Sequence, residues 1–356
     1  MIKYPESGHQ RAPLFAIRSL IMLLTALIIG TMLTACGKIS GGQDSTDRTD
    51  SSDISDPTLK KGDFFIMDGH VSEIIAPMKE AMIDYAGTLF TSIYDTYLTA
   101  AQNEDDPLLM PRHTVVFSLI PDKNVYLEDT KAYADGKLPH IPMIDYTAME
   151  TRLRSRMPWA SFVNLRDTLS LDDYYYTDMH WRQESLFEAA NTIAQKFGLT
   201  LTNTYTAVPY KTHPFIGSYT TDFASDVQSD TLLYLTSDVL SAVTVTDYVN
   251  GIPKQGVLYH TDIDADDHSY DLFLSGPMPL QVLESPLATT DRELIIFRDS
   301  FGSAIAPYFC EVYAKVTLVD LRYLNSGMLG NFITFEDQDV LFLYSTHLIN
   351  TAMILK

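Results

Sequence analysis

The sequence predicts an α/β fold in which a parallel sheet is flanked by helices, with an antiparallel β-rich insertion at about residues 201–285. Two patterns lead to this prediction. Short apolar runs of strand length alternate with segments long enough to form helices, as in proteins whose sheet is mostly parallel. Within residues 201–285, short runs of Thr, Tyr, Val and Leu are interrupted by Gly, Asp and Pro, a pattern typical of antiparallel strands.

Strands and helices of the predicted sheet can be placed along the chain. The buried strands are predicted at residues 115–120, 294–297, 316–319 and 340–344. Apolar residues at steps of three and four predict an amphipathic helix over residues 71 to about 101. Two further helices are predicted at residues 182–197, where Gly198 closes the helix, and at 303–313, where Pro307 limits the start.

Residues 1–35 have the composition of a secretory signal peptide. Three basic residues precede an uncharged stretch from Leu20 to Ala35. A membrane-spanning helix needs about 20 apolar residues, and this stretch is shorter. Its length suits the apolar core of a secretory signal peptide. Cys36 follows Leu33-Thr34-Ala35 and resembles the cysteine of a bacterial lipobox, which implies cleavage before Cys36 and a lipid thioether on its sulfur. The alternative is an uncleaved N-terminal membrane anchor.

The residues after Cys36 predict a tether rather than a folded segment. Residues 36–60 are rich in Gly, Ser, Thr and Asp and contain almost nothing apolar, so they cannot bury enough surface to fold. The folded domain is therefore predicted to span residues 61–356. Both readings of the N-terminus place it on the extracytoplasmic face of the cell membrane, attached through the lipid on Cys36 in the first reading.

Composition argues against several kinds of partner. The chain has 25 Lys and Arg against 46 Asp and Glu, a net charge of −21. This excess of negative charge disfavours binding to nucleic acid or other polyanions. Cys310 is the only cysteine besides Cys36. Neither a disulfide framework nor a cysteine-rich metal site can then form within one chain, and no cofactor is expected.

Asp299-Ser300-Phe301-Gly302 directly follows a predicted strand and opens a helical segment. In open α/β sheets, sites form beyond the carboxyl ends of the strands. A serine there presents its hydroxyl at the sheet edge, and the N-terminus of the next helix offers backbone N–H groups for an oxyanion hole. The alternative is that Ser300 is simply the N-cap of the helix.

Asp178 and His180 lie two residues apart before a predicted helix. A serine nucleophile needs a base, which is usually histidine, and the histidine needs a carboxylate to orient it. On an extended segment, residues two apart project to the same side, so both side chains can face Ser300. The alternatives are a structural histidine beside Trp181, or a metal ligand, although two ligands are too few to define a metal site.

Asp122 and Lys123 follow the predicted strand at residues 115–120 and can border the same edge of the sheet. For Lys123 the expected state is a side chain exposed to solvent.

Three motifs together resemble the DHHW proteins of Gram-positive bacteria. They are IPDKNVY after a strand, TDMHW before a helix, and FRDSFGSAIAP before VTLVDLRY. The DHHW proteins are similar to the SGNH-hydrolase-like domains of the alginate O-acetylation proteins AlgJ and AlgX. The resemblance covers roughly residues 62–350 and implies an SGNH-hydrolase-like fold. Residue by residue, it implies that Ser300 is the nucleophile, His180 the general base and Asp178 the orienting acid.

The sequence departs from the family pattern at two positions. Met179 stands where the family name implies a first histidine, but the family's triad uses the second one. Arg298 stands where ordinary SGNH enzymes have glycine before Asp-Ser. Two roles for Arg298 stay open: it alters the oxyanion geometry, or it helps to bind an acidic sugar.

The resemblance implies acyl transfer of the O-acetyltransferase type onto a cell-surface or exported polysaccharide. The expected partners are the polysaccharide acceptor and a membrane-bound O-acyltransferase that supplies acetyl groups. One alternative is an acetyl esterase, in which water replaces the sugar as acceptor. A second alternative is a non-catalytic lipoprotein that binds a glycan or an assembly partner, with tyrosines such as Tyr174, Tyr175 and Tyr176 stacking on sugars.

Overall fold

The computed structural model describes residues 60–61, 63–99, 113–138, 141–210, 214–219, 227–262 and 269–356. The predicted signal peptide, Cys36 and nearly all of the predicted tether lie outside these residues. Among the described residues, no helix is both long and apolar enough to cross a lipid bilayer.

Strands form the centre of the protein. In chain order, the strands of the described residues are β1 (Lys60–Lys61), β2 (Phe64–Met67), β3 (His70–Glu73), β4 (Val115–Ile120), β5 (Ser161–Asn164), β6 (Thr206–Pro209), β7 (Leu233–Thr236), β8 (Thr244–Val249), β9 (Ile252–Gln255), β10 (Leu280–Glu284), β11 (Glu293–Arg298), β12 (Lys315–Val319) and β13 (Asp339–Ser345). Eight of them form one sheet in the order β5-β4-β13-β11-β12-β10-β8-β9. From β5 to β12 the neighbouring strands pair in parallel, whereas β10, β8 and β9 pair antiparallel. The four strands predicted for the parallel sheet are present as β4, β11, β12 and β13.

Helices cover both faces of this sheet. The α-helices of the described residues are α1 (Glu80–Ile93), α2 (Lys131–Ala134), α3 (Tyr146–Arg156), α4 (Phe187–Lys196), α5 (Asp238–Ala242), α6 (Gly302–Phe309) and α7 (Thr346–Ile349). A π-helix continues α1 over Tyr94–Leu98, and short 3-10 helices span Lys123–Asp129, Arg166–Thr168, Leu171–Asp173, Gln183–Ser185, Ser269–Leu272, Ser326–Asn331 and Ala352–Ile354.

Alternate residues of the buried strands point into two separate hydrophobic cores, as expected for a sheet covered on both faces. In β11, Leu294 and Ile296 join the core formed with α4 and α6. Ile295 and Phe297 join the core formed with α1 and α3. The predicted α/β fold, with a mostly parallel sheet between helices, is confirmed.

The helix predicted at residues 71–101 begins later than expected, so its start was wrong. Residues 70–73 are strand β3, which pairs antiparallel with β2, and the helix begins at Glu80. Steps of three and four in a short apolar run do not distinguish the first turn of a helix from an adjoining strand. The other two predicted helices are present as α4 and α6, and Gly198 after α4 has the positive φ of a C-cap glycine.

Antiparallel strands are present within residues 201–285, but they do not form one separate unit. β6 and β7 pair only with each other. β8, β9 and β10 extend the antiparallel end of the central sheet, where β10 pairs with β12. Much of this region is therefore part of the sheet that carries the candidate site.

Candidate active site

Ser300 lies in the tight turn between the end of β11 and the start of α6. The buried carboxylate of Asp299 stabilises this turn through both of its oxygens. Oδ1 accepts the backbone N–H of Phe301 at 3.1 Å, and Oδ2 accepts the backbone N–H of Ser345 at 2.8 Å. Because Ser345 ends β13, the turn that carries Ser300 is attached to the neighbouring strand as well as to its own.

Glycine is required at position 302 by a close approach of Arg298. A Cβ atom on residue 302 would lie 2.6 Å from Cβ of Arg298, which is closer than real contacts allow. The Arg298 side chain is 1% exposed, donates to Oε1 of Gln281 at 3.0 Å and lies 3.6 Å from Oδ2 of Asp320. Burial lowers the pKa of Arg298, whereas Asp320 acts in the opposite direction. Buried in this way, Arg298 packs beneath the turn and cannot reach a sugar in the solvent.

Asp178 and His180 lie in a turn that is closed by a hydrogen bond from the Tyr175 N–H to the His180 carbonyl at 3.1 Å. Their side chains meet because the segment folds back on itself and not because it is extended: Asp178 Oδ1 accepts the backbone N–H of His180 at 2.9 Å. Trp181 Nε1 donates to the carbonyl of Phe301 at 3.0 Å, and this bond connects the loop to the turn that carries Ser300.

The three predicted site residues form one hydrogen-bonded row. Asp178 Oδ1 lies 2.6 Å from His180 Nδ1, and His180 Nε2 lies 2.7 Å from Ser300 Oγ. With the Nδ1 proton directed to the carboxylate, Nε2 is the acceptor for the serine hydroxyl. Asp178 is buried, whereas Ser300 and His180 are partly exposed. A reagent from solvent can thus reach the serine while the carboxylate stays shielded.

Ser218 supports Asp178 from the β-rich region. Its backbone N–H and its hydroxyl each donate to Asp178 Oδ2 at 2.9 Å. Burial alone would raise the pKa of Asp178, but the charge of His180 and the hydrogen bonds from His180 and Ser218 outweigh it. The pKa of Asp178 is held well below its usual range. The carboxylate therefore stays ionised next to the imidazole.

Aromatic rings fix the plane of the His180 imidazole. The Tyr270 ring stacks on it with 3.8 Å between centroids and 10° between planes, and the Phe301 ring lies 4.8 Å away. Ser218 and Tyr270 were not among the predicted site residues. Each is far from Asp178 and His180 in sequence, and no spacing pattern marks them.

Few of the backbone donors expected at the start of α6 are free. Phe301 N–H donates to Asp299, Gly302 N–H to the Asp299 carbonyl, and Ser303 N–H to the Ser300 carbonyl. Among the described residues at this turn, the backbone N–H of Ser300 is left without a hydrogen-bond partner. It is the candidate donor to an oxyanion formed on an acyl group attached to Ser300.

Lys123 is buried, so the prediction that its side chain is exposed to solvent was wrong. The side chain is 1% exposed, and Nζ donates to the backbone carbonyl of Val71 at 2.7 Å. Strand β3, which contains Val71, covers the amine. Burial lowers the pKa of Lys123 to about 8, although the nearby carboxylates act to raise it.

Metal binding receives no support from the part of the chain that the structure describes. No group of three or more His, Cys, Asp or Glu side chains there is arranged to hold a metal ion.

Comparison with known proteins identifies the fold through solved structures. A DHHW family protein from Eubacterium siraeum matches with 17% identity and a TM-score of 0.60, covering 80% of this chain and 91% of its own. Bacillus cereus PatB1, solved with a sulfonyl adduct, matches with 18% identity and a TM-score of 0.58, covering 80% and 95%. The chain therefore has the SGNH-like fold that its motifs predicted. The O-acetyltransferase domain of Pseudomonas putida AlgJ gives a TM-score of only 0.46, at 13% identity, covering 81% and 92%. No family model and no curated protein sequence matches the chain.

Proposed function

We propose that the protein is a serine acyltransferase that moves an acetyl group onto a hydroxyl of a cell-surface or exported polysaccharide. The observation that carries this proposal is the hydrogen-bonded row from Asp178 through His180 to Ser300. An imidazole with a buried carboxylate on one nitrogen and a partly exposed serine on the other is the arrangement that activates a serine hydroxyl.

The first half of the reaction acylates the serine. Ser300 Oγ attacks the carbonyl carbon of an acetyl ester while its proton moves to His180 Nε2. The oxyanion of the tetrahedral intermediate accepts the backbone N–H of Ser300. The intermediate collapses when the ester C–O bond breaks, and the imidazolium returns its proton to the departing alkoxide. Ser300 is left as its acetyl ester. Asp178 accepts the hydrogen bond from the Nδ1–H of His180 throughout.

The second half transfers the acetyl group to the acceptor. His180 takes the proton of a sugar hydroxyl, and the sugar oxygen attacks the acyl carbon of the Ser300 ester. Collapse of the second intermediate breaks the bond between the acyl carbon and Ser300 Oγ. The imidazolium returns its proton to Oγ, which restores the hydroxyl, and the acetylated sugar is released. If water attacks instead, the same residues make the protein an acetyl esterase, so exclusion of water decides between the two outcomes.

We also propose that the lipid on Cys36 holds the domain on the outer face of the cell membrane. Support comes from the lipobox-like sequence that ends at Cys36 and from the polar composition of residues 36–60. A membrane-bound O-acyltransferase that delivers acetyl groups would then lie within reach of Ser300.

A sulfonyl fluoride tests the reactivity of Ser300 directly, because it needs no knowledge of the natural donor. Ser300 Oγ forms a bond to sulfur, fluoride leaves, and the serine proton passes to His180. Incubation with phenylmethylsulfonyl fluoride is expected to add one sulfonyl group to Ser300, detected by mass spectrometry of the intact protein and its peptides. The S300A variant should stay unlabelled, whereas the exposed-serine control S155A should label like the unchanged protein.

Transfer and hydrolysis are separated by adding acceptor. With an acetyl aryl ester as donor, a transferase is expected to give acetylated oligosaccharide when oligosaccharide is present, and an esterase to give only acetate. A folded protein that forms no adduct at Ser300 and turns over no ester would instead favour the non-catalytic, glycan-binding function.

A further inference from the structure

The ammonium group of Lys123 is buried beside the candidate site and makes one hydrogen bond within the described residues. Its Nζ donates to the carbonyl of Val71 at 2.7 Å and lies 5.6 Å from the centroid of the Tyr219 ring. Burial of an ammonium group is strongly unfavourable unless nearby anions compensate for the lost hydration. The charges around Lys123 must therefore account for its position.

Three buried carboxylates interact with this ammonium group. They belong to Asp178 of the candidate site, to the adjacent Asp122, and to Asp230. Asp230 is itself tied to the site, because its Oδ2 accepts the backbone N–H and the hydroxyl of Thr177, both at 3.3 Å. Burial raises the pKa of Asp122 and of Asp230, whereas the charge of Lys123 acts to lower both and so favours their ionised forms. Lys123 is thus the cation that opposes the negative charge of these carboxylates.

Backbone hydrogen bonds hold Lys123 against the loop that carries Asp178 and His180. Val71, which accepts the Lys123 amine, donates its own N–H to the carbonyl of Tyr176 at 2.7 Å. Tyr219, whose ring faces the amine, donates its N–H to the carbonyl of Thr177 at 3.0 Å. Two segments thus flank the loop. The ammonium group donates a hydrogen bond to one of them, at Val71, and faces the ring of Tyr219 in the other.

The other titratable groups near the site do not replace this charge. Burial and the charges of Lys123 and Arg182 lower the pKa of His70 to about 3, so His70 is neutral. Arg182 is partly exposed and lies 3.7 Å from an oxygen of Glu184. Beside Asp122, Glu73 lies 3.7 Å from His347. Arg298 lies at the end of β11 and is paired with Asp320. Tyr270, stacked on His180, is neutral because burial raises the pKa of its phenol well above the usual value. Tyr219 is neutral for the same reason.

We propose that Lys123 is a positioning residue for the reaction, whose positive charge balances the buried carboxylates and so keeps His180 available as a neutral base for Ser300. Without the ammonium group, the carboxylates would stabilise the imidazolium form of His180, which cannot take the serine proton. This inference rests on the proposed function, because it assumes that His180 activates Ser300.

The pH dependence of Ser300 sulfonylation tests this role. Rates are measured from about pH 5 to about pH 9 in the full chain and in the variants K123M, D230N and K137M. In K123M the acid limb of the profile is expected to move up by about one pH unit, with a roughly tenfold slower reaction on that limb and little change on the plateau. In D230N, which removes one negative charge, the limb should move the opposite way. The control K137M removes an exposed lysine and should leave the profile unchanged.

Any of four results would overturn the proposal. Slowing of K123M by one common factor at every pH would mean that Lys123 serves only the packing of the loop. If K123M does not fold, as judged by a missing cooperative melting transition, the test rests on D230N alone. An acid limb of the D230N profile that stays in place or moves to higher pH would then refute the charge balance. Absence of any adduct in the unchanged protein would refute the proposed function and this role together, whereas normal labelling with unmoved profiles refutes this role alone.

Discussion

Replacement of Asp178 by asparagine is expected to slow the reaction of Ser300 by about 10³- to 10⁴-fold while the fold is retained. The carboxylate accepts four hydrogen bonds, two from His180 and two from Ser218. An amide has one oxygen and one NH₂ group, so it can accept on one side only. Either His180 or Ser218 must then point its own N–H donor at the NH₂ group of the asparagine, which is also a donor.

The two orientations of the amide harm the reaction in different ways. With its oxygen towards Ser218, the NH₂ group forces His180 Nδ1 to accept, which places the imidazole proton on Nε2, where it blocks proton transfer from Ser300. With its oxygen towards His180, the tautomer is correct but the negative charge is lost. A charge-assisted hydrogen bond contributes about 1.5–3 kcal/mol. At 1.36 kcal/mol for each tenfold change, the lost charge alone slows the reaction about 10- to 100-fold. The larger expected loss arises when the orientation with the wrong tautomer predominates, because few molecules then hold His180 as a base for Ser300.

The measurement is the rate of Ser300 sulfonylation and of acetyl-ester turnover in D178N, with the exposed D291N as the matched control. Thermal melting of both variants checks that the domain is folded. A folded D178N that reacts within about tenfold of the unchanged protein would refute the reasoning, because the orienting hydrogen bond would then have little effect on the base.

Three further predictions follow from buried groups and one from the N-terminus. G302A is expected to displace the turn that carries Ser300, because the new methyl group meets Arg298 at 2.6 Å; sulfonylation should slow by at least about tenfold, and normal labelling would contradict the packing argument. The Cys310 thiol, whose pKa burial raises to about 12, should resist iodoacetamide at pH 8 until the domain is unfolded, as peptide mapping would reveal. Because the folded-state pKa of Asp178 is depressed, the ionised carboxylate stabilises the fold above the usual carboxyl pKa range, and this stability is lost as the pH falls. Denaturant titrations should therefore show that acid lowers the free energy of unfolding less in D178N than in the unchanged protein. C36A should release or misprocess the protein and reduce glycan acylation in cells, yet leave the Ser300 adduct in vitro intact; loss of the adduct too would mean that the anchor is needed for the structure.

The parallel part of the fold could be predicted because its strands are buried on both faces and therefore read as continuous apolar runs. The strand before Ser300 and the run at residues 340–344 are of this kind. Strand β3 could not be predicted in the same way. This strand has only four residues, and polar and apolar side chains are mixed among them. Its extended conformation depends on pairing with β2.

The error at β3 also explains the error at Lys123. When residues 71–73 are taken as part of a helix, nothing in the sequence indicates a carbonyl that can accept the Lys123 amine, so the lysine is expected to be in solvent. In the folded chain, Val71 supplies that carbonyl. The contact joins residues 52 positions apart, and a contact at that separation leaves no local pattern in the sequence.

The candidate site was predictable to the extent that its chemistry lies in short motifs. Asp178, His180 and Ser300 each stand in a motif whose residue types suit a serine nucleophile and its base. Ser218 has no such motif: a serine in a polar segment is ordinary, and its two hydrogen bonds to Asp178 arise only when the β-rich region folds against the loop. The structure brings these three residues together, whereas their catalytic roles stay a prediction until Ser300 is labelled.

The position of Ser218 has a practical consequence for attempts to redesign the protein. A designer who exchanged residues 201–285 for a segment of another protein would leave the three motif residues untouched. Such a chimera would keep Asp178, His180 and Ser300 but lose both donors to Asp178 Oδ2. The β-rich region and the hydrogen-bonded row from Asp178 to Ser300 are thus not independent of each other. A graft that preserves reactivity has to carry a serine that donates through both its amide and its hydroxyl at position 218.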